Sequence, residues 1–155
     1  MRDGRLKLSD FGFCTRMKGK EDLTRTFCGT LEYIAPEIFK NDRYTFPVDV
    51  WSLGIMIYEM GTLKTPFYHS SEDEIKAHVL RGDFQCSERM NNDLKQLIRS
   101  LLKKEPKERL TMSQIRTHPY YSSPYSIDEI EQLKVKSPWK RSVKRNCHQS
   151  VNDSC

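Results

Sequence analysis

Apolar and polar positions alternate in four distinct ways along the 155 residues. Leu6-Lys7-Leu8 has the period of two of a short strand and follows Asp3-Gly4, a hairpin-turn pair, so a strand is expected there whose partner would precede the turn. From Phe13 to Arg25 the residues are polar and of mixed charge without helical or strand period, the mark of a long loop. Val48, Val50, Trp51, Leu53, Ile55, Met56, Ile57, Tyr58 and Met60 then predict a helix opened by Pro47 and closed by Gly61, with so little polar surface that it must be buried on nearly all sides. Leu94, Leu97, Ile98, Leu101 and Leu102 follow the i, i+3, i+4, i+7, i+8 rule of an amphipathic helix, and Pro106 prevents that helix from running far.

Helix-start signals fill in the rest. Ser71-Glu72-Asp73-Glu74 has the form of a capping box ahead of Ile75, Val79 and Leu80, with Gly82 placed to end the helix. Thr111-Met112-Ser113-Gln114 repeats the signal before His118-Pro119, and Ser126-Ile127-Asp128-Glu129 does so for a helix near 127–134. Beyond about residue 137, little fixed structure is expected. The sum is a mainly helical body with one minimal strand, as if a remnant of something larger.

Composition narrows the class. Hydrophobic residues make up 37% and charged ones 30%, and no apolar run approaches the roughly 20 residues of a membrane span. The odd number of cysteines, five, lack a CxxC pair, and the N-terminus has no apolar signal region; reduced thiols and a cytoplasmic or nuclear location are expected. The net charge of +5 is concentrated in the tail, at Lys134, Lys136, Lys140, Arg141, Lys144 and Arg145. Such a run suits a solvated, disordered tail better than a nucleic-acid or membrane contact, since no nucleic-acid-binding motif accompanies it. The four histidines have neither the spacing nor the acidic company of a metal site. Cys14 is expected to pack, and Cys28 stands in the loop region as a candidate redox-sensitive thiol.

Asp10-Phe11-Gly12, followed by Ala35-Pro36-Glu37, then Asp49-Val50-Trp51-Ser52-Leu53-Gly54, then Arg109 after the leucine-rich helix, resembles in order and spacing the signature of protein kinases. Residues 26–37, Thr-Phe-Cys-Gly-Thr-Leu-Glu-Tyr-Ile-Ala-Pro-Glu, look most like the activation and substrate-docking segments of AGC-type serine/threonine kinases, with calmodulin-dependent kinases next. Leu31 departs from the proline of many relatives, and the tail has no Phe-x-x-Phe motif. The resemblance implies a mainly α fold: the C-terminal lobe of an α+β kinase domain, with a remnant strand at its start and the N-lobe missing. It covers about residues 3–121, within a partial kinase domain expected at 1–121 with the activation segment at 10–37 and the helical lobe at 47–121, leaving 122–155 as a basic extension.

It also implies roles. Asp10 would coordinate the magnesium that bridges ATP phosphates, with Phe11 packed to set its direction and Gly12 permitting the turn. Thr26 resembles the phosphosite on which an upstream kinase acts, with Thr24 as the rival acceptor. Thr30, Glu32, Tyr33 and Glu59 would shape substrate docking, Glu59 by reading a basic residue ahead of the target serine or threonine. As plainer alternatives, Glu32 is a surface acid and Tyr33 a packed aromatic. Glu37 and Arg109 would form a buried ion pair, Trp51 would sit in the core of the lobe, and Asp49 would hold the catalytic loop or, failing that, cap its helix. A glycine-rich loop, an ATP-binding lysine and a His-Arg-Asp loop do not occur in these residues. Two expectations follow: a partial serine/threonine kinase domain, inactive as this chain alone and using ATP and magnesium when whole; or a non-catalytic module that docks partners or competes with the full kinase.

Overall fold

The computed structural model describes residues 8–12, 14–16, 23–24 and 29–122. The expected strand at 6–8, the phosphosite Thr26, Cys28, the helix near 127–134 and the basic tail all lie wholly or mostly outside them.

Six α-helices form the described body: α1 (Pro36–Phe39), α2 (Pro47–Thr62), α3 (Glu72–Arg81), α4 (Asn92–Leu101), α5 (Met112–Arg116) and α6 (Pro119–Ser122). Single 3-10 turns stand at Leu31–Tyr33 and Pro106–Glu108. Among the described residues the only β pairing is an isolated antiparallel bridge between Thr24 and Tyr44, closed by Thr24 N–H to the Tyr44 carbonyl at 3.1 Å and its reciprocal at 3.0 Å.

The core is the seam between α2 and α4. Trp51 and Ile55 of α2 and Leu97, Ile98 and Leu101 of α4 are fully buried there, with Phe67 and Val79 beside them. Gly54 makes the approach possible: a Cβ on it would lie 2.8 Å from Leu102 Cδ2 and 2.9 Å from Leu101 Cβ. Trp51 is stacked on Phe67, ring centroids 5.6 Å apart and planes 2° from parallel, and Phe67 meets Phe84 edge-on.

Local signals set the helix ends unevenly. Asn91 caps α4 by accepting from Leu94 N–H at 2.7 Å, and Thr111 with Gln114 forms the predicted capping box of α5. Gly82 ends α3 in the left-handed conformation, φ 77°, as its lack of a Cβ allows. Ser71 makes no capping bond, so the first box is a sequence signal without its hydrogen bonds; the three acids of that first turn still complement the helix dipole. The second helix does not close at Gly61. It runs on to Thr62, and Leu63 takes the left-handed cap at φ 63°, its N–H bonded to the Glu59 carbonyl at 2.7 Å.

The expectation that this helix is buried on nearly all sides is corrected. Val50, Trp51, Gly54, Ile55 and Ile57 are buried, but Met56 is 43% and Met60 67% exposed. An all-round apolar helix needs cover on both flanks, and the described residues cover one.

Candidate functional site

Two connected constructions hold the segment between Gly29 and Glu37 against the helical body. The first surrounds Tyr33, at the end of the 3-10 turn. Its hydroxyl donates to Glu59 Oε2, on the last turns of α2, while its carbonyl accepts from the Ser52 hydroxyl at 3.1 Å. Tyr33 therefore joins the segment to one helix at two points separated by seven residues, about two turns. The hydrogen bond to the Glu59 carboxylate, and then burial, push the Tyr33 phenol up to about 12: losing its proton would abolish the bond and set two negative charges together.

The second is the buried pair of Glu37, on α1, with Arg109. Both guanidinium NH groups bond the two carboxylate oxygens at 2.7 Å, a bidentate fork. Arg109 also donates from Nε to the Lys103 carbonyl at 2.8 Å, from Nη1 to the Pro47 carbonyl at 2.9 Å and from Nη2 to the Lys104 carbonyl at 3.2 Å. Its guanidinium carbon lies 5.0 Å from the centroid of the Trp51 ring, within cation–π range. One side chain thus fastens α1, the start of α2 and the turn after α4 to the core tryptophan.

Between the first construction and the Thr24–Tyr44 bridge lies a cleft of about 340 Å³, lined by Cys14, Thr30, Tyr33, Phe46, Asp49 and Ser52 among others. Asp49 is solvent-accessible, yet the surrounding walls desolvate its carboxyl enough to raise its pKa. It does not cap its helix: Phe46 holds that position, and no side-chain capping bond is made.

The remaining predicted residues are more loosely placed. Asp10 is exposed and has the positive φ of 60° that Asp tolerates better than most residues. Its Oδ1 accepts from Gly12 N–H at 3.3 Å. Phe11 does not pack: it is 64% exposed, as no described element reaches it. Thr30 is exposed and Glu32 half-buried. Cys14, expected to pack, is exposed on the cleft wall. Sequence reasoning missed Ser52 as a partner of Tyr33; no signal in the chain ties a helix serine to a carbonyl 19 residues earlier. It also missed that Arg109 collects three carbonyls besides its acid. Among the described residues, no group of three or more His, Cys, Asp or Glu is arranged to hold a metal ion.

The family model described as Protein kinase domain matches residues 1–121. Protein kinase C delta type of Rattus norvegicus is 35% identical over 144 residues, covering 92% of this chain and 21% of its own length. Serine/threonine-protein kinase gad8 of Schizosaccharomyces pombe is 35% identical over 156 residues, covering 97% and 27%, and RAC serine/threonine-protein kinase of Drosophila melanogaster is 34% identical over 152 residues, covering 92% and 24%. The chain spans about a quarter or less of the length of most of these relatives. It belongs to the protein kinase domain family, and the relatives it is similar to are AGC-type serine/threonine kinases.

Proposed function

We propose that this chain is the activation-segment and helical-lobe part of a serine/threonine protein kinase that transfers the ATP γ-phosphate to proteins carrying a basic residue ahead of the target serine or threonine. The observation that carries the reading is the seating of residues 30–37 by Tyr33 on Glu59 and by Glu37 on Arg109. Phosphoryl transfer asks the protein chiefly for positioning, and this segment is where the family receives its substrate. In this reading Thr30, Glu32 and Tyr33 form the docking wall, and the half-buried Glu59 carboxylate is the acid that an arginine of the substrate meets. Thr26 is the site at which an upstream kinase acts. The enzyme works in the cytoplasm or nucleus.

Magnesium fits Asp10 in a limited way. The carboxylate is exposed, and among the described residues only its Oδ1 accepts a hydrogen bond, which suits an ion held between a single carboxylate and substrate phosphates and not one caged by protein. ATP and magnesium, when bound, supply the phosphoryl group and the charge that offsets it. Asp10 would orient that ion, with the Gly12 N–H fixing the carboxylate's rotation. The 155 residues alone are inactive in this reading, because they carry neither a catalytic base nor a phosphate-binding lysine. The uncovered Met56 and Met60 of α2 support a domain that continues beyond them.

The test is a peptide-array phosphorylation assay on the longest polypeptide that contains this chain, beside the chain alone. The long form is expected to favour arginine before serine, and Glu59→Gln to weaken that discrimination about 10-fold or more, the worth of a charge-assisted hydrogen bond. Equal use of arginine and alanine peptides would overturn the basic preference. Phosphate transfer by the chain alone would overturn its inactivity.

A further inference from the structure

A second cavity, of about 360 Å³, lies on the other side of the Thr24–Tyr44 bridge, between it and the 3-10 turn at Pro106–Glu108. Leu23, Tyr44, Pro47 and Pro106 give it apolar walls, and Glu37 reaches it. Glu37 contributes little net charge there, because both its oxygens are bonded to Arg109. Thr45, Arg43, Lys107 and Glu105 complete the lining, and the last three are exposed. Neither Arg43 nor Lys107 makes an ion pair among the described residues, where the salt bridges are those of Glu37 with Arg109 and Glu74 with His78. The cavity therefore has apolar walls and, besides the paired Glu37, an exposed lining of two cations that make no ion pair among the described residues against one acid.

From this we propose that the cavity docks an acidic linear peptide, inserting one large apolar side chain between Leu23, Pro47 and Pro106 while its carboxylates meet Arg43 and Lys107. A volume of this order is in the range of ligand pockets and takes a whole aromatic or aliphatic side chain. The two cations belong to different stretches of chain, one on each side, which suits a ligand that passes across the mouth. A lipid tail fits worse: the cavity is open to water, and the Glu37 carboxylate stands in its lining, where a long alkyl chain would gain little. The occupied cavity would also brace Leu23 and the Thr24–Tyr44 bridge, the point at which the segment leading to Gly29 is tied to the helical body. The argument is independent of phosphate transfer, so it survives or fails apart from the kinase reading.

The probe is a capped hexapeptide with two acids on each side of a Leu-Phe pair, titrated into dilute dye-labelled chain. Saturable binding is expected below about 1 mM, weakened at least 10-fold by the double variant Arg43→Glu/Lys107→Glu and recovered in that variant by a peptide with lysines in place of the acids. Both substituted side chains are exposed, so the fold should survive, and circular dichroism melting checks it. A peptide with Ser-Ser in place of Leu-Phe should bind at least 10-fold more weakly. No saturation at 1 mM overturns the proposal. So does binding indifferent to the charge reversal, or equal binding of the Ser-Ser peptide, which would mean unspecific attraction of charge.

Discussion

Arg109 donates five hydrogen bonds, to Glu37 twice and to the carbonyls of Pro47, Lys103 and Lys104. Its removal strands a carboxylate that is only 5% exposed, and the stranded charge, more than the lost pair, sets the cost. Arg109→Met should destabilise the protein by about 3–5 kcal/mol, while Glu37→Met/Arg109→Met should cost clearly less than the two single changes together. Urea unfolding of the four proteins measures this, and strict additivity would show that the pair is not coupled. Tyr33 gives a prediction in pH. Its phenol is held up to about 12 by Glu59, against 10.0 for the free group, so the folded state retains a proton that the unfolded chain gives up earlier. The stability this contributes is whole below about pH 10 and is lost as pH rises towards 12. Tyrosinate absorbance should show a late-titrating component that Tyr33→Phe removes, beside that of Tyr58, whose phenol burial also pushes up; if Tyr33→Phe leaves the titration unchanged, the bond to Glu59 does not govern that proton.

At the scale of elements, the packing of α2 on α4 turns on a glycine that propensity alone would replace. Alanine is preferred over glycine inside a helix by about 1 kcal/mol, yet a Cβ at Gly54 would stand 2.9 Å from Leu101 Cβ, an atom fixed to the backbone of α4. Overpacking of this kind costs about 1–3 kcal/mol. Gly54→Ala should therefore lower the melting temperature; a rise would mean that the helices separate without penalty. The periodicity of 94–102 and the box at 111–114 predicted α4 and α5 closely because both signals act within one turn of chain. Ser71 carried the same signal without forming the bond, and Gly61 was passed over as a helix end. At that point Gly61 lies against Met90, whose Cε would be 2.9 Å from an added Cβ: its smallness serves packing, and the cap falls to Leu63.

For the molecule as a whole, the apolar side of α2 left open at Met56 and Met60 is the feature with the largest consequence. Exposed apolar surface on a helix favours association. The chain alone should self-associate at micromolar concentration, and Met56→Gln/Met60→Gln should reduce that association, as sedimentation velocity would register. A chain that is monomeric at high concentration without these changes would show that the stripe is harmless. The same surface favours the reading of a partial domain over that of a self-contained binding module, because a module evolved to stand alone would be expected to carry polar residues there.

The sequence by itself determined the family, the helical character of residues 47–121 and, as what the family resemblance implies, the pairing of Glu37 with Arg109. The first two rest on residue type and spacing, which survive without coordinates, and the third is carried over from the family. The order of Asp10-Phe11-Gly12, Ala35-Pro36-Glu37 and Asp49 to Gly54 was enough for the first, and helical period for the second. Only the tertiary structure decided that Ser52 holds the Tyr33 carbonyl, that Phe11 and Cys14 stand exposed, that α2 is covered on one flank, and that a second cavity lined by Arg43 and Lys107 opens beside the Thr24–Tyr44 bridge. These depend on which surfaces meet across long stretches of chain. Local pattern fixes what a segment can form, whereas burial and partner choice belong to the contacts that the fold brings together.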